Sequence, residues 1–91
     1  MNGWTNHATW NFINWHGDQL DGYAEAFAAY FDEISLQEVA EDIEAWAWEE
    51  TGMNEMPIGF ARDAASHAFH EINWTELAER VKRVALEEMA A

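Results

Sequence analysis

Pro57 is the only proline in the chain, and the five glycines stand apart from one another. Long helices are therefore permitted on either side of a single break. Apolar residues recur at helical spacing, and no alternating strand or hairpin pattern occurs. Asn6 caps a first expected helix over about residues 7–16, which stops at Gly17. Trp10 and Ile13 share one side of it, Ala8, Phe12 and Trp15 another, and His7, Asn11 and Asn14 a narrow polar stripe. An apolar arc this wide belongs to a central, buried helix.

Asp18 and Asp21 offer caps for a second helix from about Tyr23 to Glu33, with Tyr23, Phe27, Tyr30, Phe31 and Ile34 on its apolar side. Ser35 opens the clearest helix start. With Glu38 it makes the S-x-x-E capping box, and Gly52 ends that helix. Leu36, Val39, Ile43 and Trp46 face the core, while Glu38, Glu41, Asp42 and Glu49 fall elsewhere. Residues 52–58 form the longest loop. A fourth helix over residues 59–71 carries Phe60, Ala64, Ala68 and Phe69 inward. Asn73 caps a fifth, with Glu76 three residues on, which continues through Leu77, Val81, Val84 and Leu86. The expectation is an all-α, compact single-domain bundle of about five helices, with residues 1–91 one acidic helical domain.

The charge is lopsided. Eighteen Asp and Glu face four Lys and Arg, a formal charge of −14, and no Lys or Arg precedes Arg62. Self-repulsion of this kind destabilises a compact state, and ordinary surfaces intersperse both signs. The charge therefore reads as a working surface, or else as adaptation to a high-salt cytoplasm. The single lysine, Lys82, fits the second reading, and the bulky aromatic content fits it less well. Six Trp and 49% hydrophobic residues argue for a folded chain rather than a disordered one.

Cysteine is absent, so disulfides, thiolate zinc sites and Cys nucleophiles are excluded. No secretory signal is recognisable, and no stretch approaches the roughly 18 apolar residues that span a bilayer. A cytoplasmic protein is expected. Anionic membranes and nucleic acid itself should repel it, because nucleic-acid binding relies on Lys and Arg. Its charged partner is then a basic protein.

The segment Gly3-Trp4-Thr5-Asn6-His7-Ala8-Thr9-Trp10-Asn11 resembles the opening of a family of small phage- and plasmid-encoded proteins of unknown function, with the pattern G-[WY]-x-N-x-x-T-W-N. Gly59-Phe60-Ala61, Asp63 and the run Glu71-Ile72-Asn73-Trp74-Thr75-Glu76-Leu77-Ala78 are similar to a later segment of the same family. His7-Ala8 stands where an aromatic-acidic pair is common. The resemblance implies a mobile-element origin, where small proteins counter host defence, and it transfers no catalytic residues. The motif also has a structural explanation, in which Asn6 or Thr5 caps the helix and Trp10 anchors it.

Carboxylates at i, i+3 and i+4 stand about 5–6 Å apart on a helix face, close to the spacing of phosphates along a nucleic-acid strand. Glu38, Glu41 and Asp42, extended by Asp32, Glu33, Glu44 and Glu49, form the candidate partner-binding set. Trp48, two residues from Trp46 on a helix, cannot face inward with it and is a candidate exposed anchor. Trp10, Trp15 and Trp74 read as core.

His67 and His70 are i, i+3, but no E-x-x-H pair is present. The histidines read as partly exposed partners of carboxylates, and no metal or cofactor is expected. Phosphate loops and hydrolase or metalloprotease motifs are missing, so no enzyme activity and no catalytic residue is expected. Arg62, Arg80, Lys82 and Arg83 read as local pairs or as complements to the end of the last helix. The leading expectation is a non-enzymatic inhibitor of anti-CRISPR or anti-restriction type, imitating nucleic acid before a basic nucleic-acid-binding complex. The competing one is an acidic interaction or assembly module, a homodimer burying Trp48, whose charge serves solubility.

Overall fold

The computed structural model describes residues 3–91, and all regular structure in them is helical. Five helices follow in order: α1 (His7–Ala26), α2 (Ala28–Glu33), α3 (Leu36–Glu50), α4 (Phe60–Glu71) and α5 (Trp74–Ala90), with a short 3-10 turn at Met53–Glu55. The all-α, five-helix expectation holds, but the boundaries at the front of the chain do not. Gly17 lies buried inside a 20-residue α1 instead of ending a helix. A glycine costs about 1 kcal/mol in a helix interior, which packing of Phe12, Leu20 and Ala24 on either side of it offsets. Asp18 and Asp21 therefore sit mid-helix and cap nothing. The break falls at Phe27, whose φ of −119° and ψ of 33° leave the helical region, so the second helix is only six residues long.

The ends that local chemistry dictates are where they were expected. Glu38 N–H donates to Ser35 Oγ at 3.1 Å while Ser35 N–H donates to Glu38 Oε1 at 3.4 Å, completing the capping box. Beyond α3, Gly52 adopts φ +80°, a left-handed conformation that L side chains rarely take.

α5 is the central helix and packs against α1, α2 and α3. Its Leu77, Ala78, Val81 and Ala85 are fully buried, against Leu20, Phe31, Val39 and Ile43. Each large apolar side chain so buried contributes about 1.5–3 kcal/mol. Leu86 is outside this seam, because Ala85 takes the inward register. α4 is the least integrated element. Phe69 is its one buried residue, held by the rings of Trp74 (centroids 4.9 Å) and Trp48 (5.1 Å). Phe60 is 91% exposed, and Ala64 and Ala68 are exposed too. Phe69 is inward as expected, but the helix is rotated so that Ala65 joins it in place of Phe60, Ala64 and Ala68. Trp15 is also no core residue, at 72% exposed.

The two segments that carry the family resemblance meet in space. Asn6 caps α1 through Oδ1, which accepts from Thr9 N–H (2.9 Å) and Thr9 Oγ1 (2.8 Å). Thr9 Oγ1 in turn accepts from Asn73 N–H at 2.8 Å, and Asn73 Oδ1 caps α5 by accepting from Glu76 N–H at 3.0 Å. Asn6 Nδ2 donates to the Glu71 carbonyl at 2.8 Å, and Thr5 N–H donates to Glu76 Oε1 at 3.1 Å. One network thus begins α1, ends α4 and begins α5, satisfying groups that helix ends otherwise leave unpaired. Asn6, not Thr5, is the cap of α1.

Candidate partner-binding face

On α3 the side opposite the core follows from helical geometry. Val39, Ala40, Ile43 and Ala47 are buried. At 100° per residue, positions 38, 41, 42, 45 and 49 fall on the outward arc. Glu38, Glu41 and Glu49 are exposed there, Asp42 is half-buried beside them, and Glu44 lies at the flank. The sequence-derived set on this helix is thus gathered on one side.

Two grooves run along that side. One, of about 540 Å³, is lined by Glu41, Glu44, Trp48, Glu49, Phe69 and His70. The other, of about 580 Å³, is lined by Tyr23, Phe27, Tyr30, Asp42, Trp46 and Glu49. Ala45 and Glu49 border both, so α3 is the rib between them. Trp48 is not the projecting anchor its position implied. It is half-buried, edge-on to Phe69, and forms a groove wall.

The second groove is built on a stacked pair, Tyr23 and Trp46, with ring centroids 4.9 Å apart and planes 10° from parallel. Tyr30 donates its hydroxyl to Asp42 Oδ2. That bond, with minor burial and the charges of Asp42 and Glu38, raises the Tyr30 hydroxyl above its ordinary range; burial and then the Asp42 charge raise Tyr23. Asp42 is thus felt by both tyrosines. Spacing put Tyr23, Phe27 and Tyr30 on one apolar side and Trp46 toward the core. Tyr23 and Trp46 do pack against the core, half-buried, while Phe27 and Tyr30 are exposed, and all four wall the groove. The available signal was their identity: Tyr and Trp combine an apolar ring with a polar tip suited to a partly wet surface.

Asp32 and Glu33 are exposed at the end of α2, but a cation sits with them. Lys82 Nζ donates to the main-chain oxygens of Phe31 (3.0 Å), Asp32 (3.3 Å) and Ile34 (2.6 Å). A lysine there complements the negative end of α2, not the end of α5. The Asp32–Glu33 extension of the strip is therefore partly neutralised.

The other cations are also placed away from α3. Arg80 makes a bidentate pair with Asp21, at 2.9 and 2.8 Å, and lies 5.9 Å from the Trp4 ring centroid. This pair is the one ion pair among the described residues. Arg83 lines the same hollow as Arg80 and Trp4, and Arg62 lies beside Asp63 on α4. The histidines do not serve carboxylates as expected: His70 Nδ1 donates to the Ser66 carbonyl at 2.7 Å, and His7 packs on Trp10. A smaller cleft of about 200 Å³ between α1 and α4, walled by Phe12, Trp15, Met53 and Phe69, has no carboxylate in its lining.

No protein-family model matches the chain, and neither a curated protein nor a solved structure matches it.

Proposed function

We propose that the protein is a non-enzymatic inhibitor whose α3 face imitates nucleic acid and occupies the cationic groove of a host nucleic-acid-binding defence complex. The observation that carries this reading is the outward arc of α3. Glu38, Glu41, Asp42 and Glu49 lie together there with Glu44 at the flank, without an ion pair among the described residues. Holding like charges side by side costs stability in the free protein, and a cationic partner relieves that cost. The resemblance of the opening segment to small proteins of phages and plasmids supports a target in host defence.

The charges act as a patch, so single alanine changes should each cost little while their losses accumulate. The test is binding to a basic nucleic-acid-binding complex, measured with and without competing DNA as salt is raised. Affinity should fall steeply with ionic strength, and DNA should compete. The double reversal Glu41→Lys/Asp42→Lys should abolish inhibition with helicity unchanged, since it removes from the described residues only two surface hydrogen bonds, Gln37 to Glu41 and Tyr30 to Asp42. Salt-insensitive binding, or full inhibition by the double variant, would remove this face from the site.

A further inference from the structure

We propose that the two grooves flanking α3 each seat an arginine guanidinium, so that this face selects an arginine-bearing segment over a lysine-bearing one of equal charge. This rests on the acidic-face reading above and adds the chemistry of the group it receives.

A strip of carboxylates alone favours arginine only through two-pronged pairing. The grooves favour it further, because each joins carboxylates to aromatic walls: Glu41 and Glu44 with Trp48 in one, Asp42 with Trp46 and Tyr30 in the other. A guanidinium is planar and weakly hydrated, stacks on aromatic faces and presents paired N–H donors to a carboxylate. An ammonium is a compact, strongly hydrated charge and gains less from such walls.

The same chain already builds such a seat for itself. Arg80 is gripped in two places by Asp21 while its guanidinium carbon lies 5.9 Å from the Trp4 ring centroid. The α3 grooves repeat that combination of ring and carboxylate, and no Lys or Arg lines either of them. Asp42 is also held in position, since Tyr30 donates to one of its oxygens. A carboxylate has about four acceptor sites, so capacity remains for a second donor.

The test compares nona-arginine and nona-lysine peptides, titrated into the intact protein at matched salt and followed by calorimetry. Nona-arginine should bind about tenfold tighter, the size expected when a desolvated cation–aromatic contact is added at equal charge. Trp48→Leu and Tyr30→Leu, with helicity checked by circular dichroism, should each narrow that gap. Glu49→Gln, which changes a residue bordering both grooves, should weaken both peptides alike. Equal affinity of the two peptides for the unmodified protein overturns the arginine seats and leaves the acidic-face reading standing. Failure of both peptides to bind at low salt overturns the two together.

Discussion

Replacing Thr9 by Val tests whether the cap network holds the fold together. Thr9 is 0% exposed, and its hydroxyl both donates to Asn6 Oδ1 and accepts from Asn73 N–H, each at 2.8 Å. Valine keeps the shape and deletes the hydroxyl. The bond to Asn6 is worth about 1 kcal/mol, and leaving the half-buried Asn73 N–H without its acceptor costs about 1–3 kcal/mol. The sum is about 2–4 kcal/mol. A domain of this length has about 5–14 kcal/mol of stability at typical per-residue values, so the loss is a large share. At roughly 4–8 °C per kcal/mol for a domain this small, the melting temperature should fall by about 8–30 °C. Far-UV circular dichroism melts and urea titrations report it, with the urea m-value unchanged. Thr9→Ser, which keeps the hydroxyl and loses one methyl, should cost only about 1 kcal/mol. A Val variant within about 0.5 kcal/mol of the parent, or a Ser variant worse than the Val, would refute the reasoning.

Gly17 and Gly22 lie inside α1 away from positive φ, and a Cβ at Gly17 meets only Ile13 at ordinary contact while one at Gly22 meets nothing. Gly17→Ala and Gly22→Ala together should therefore raise stability by about 1–2 kcal/mol in a thermal melt, and a loss would show that α1 does not run through them. Phe60→Ser should change stability by less than about 0.5 kcal/mol because Phe60 is almost wholly exposed, and a loss above about 2 kcal/mol would put it back in the core. The chain's two tyrosines should both ionise above 10.0 in an alkaline absorbance titration, and Asp42→Asn should lower both. Because their folded values are raised, the stability they contribute is fully present below 10.0 and lost as pH rises through those values. A midpoint at or below 10.0 for either would contradict the Asp42 contacts.

What the sequence made legible was local chemistry. Ser35 and Glu38 satisfy each other within one turn, Gly52 supplies the left-handed stop, and Asn73 and Asn6 cap the helices that follow them. The acidic arc of α3 was legible for the same reason, since residues on one helix keep their relative directions whatever the rest of the chain does. Choices decided by packing were not legible. Gly17 ends a helix by propensity, but the tertiary burial around it overrides a preference worth only about 1 kcal/mol. On α4 the spacing turns Phe69 inward together with Phe60, Ala64 and Ala68, but its packing on the Trp48 and Trp74 rings turns Ala65 in and those three out. The grooves needed both neighbours of α3 in place, so spacing gave the apolar side of each aromatic but not the hollow they wall together.

The cap network also orders events in time. Its partners lie 64 to 71 residues apart, so the first turn of α1 finds its latch only after residues 71–76 have been synthesised. Until then α1 keeps only its local cap, Asn6 on Thr9 N–H, and residues 1–61 carry no Lys or Arg to damp their own repulsion. The capping box of Ser35 and Glu38 can close as soon as its own turn is made, whereas the latch between the starts of α1 and α5 waits for the last helix to emerge.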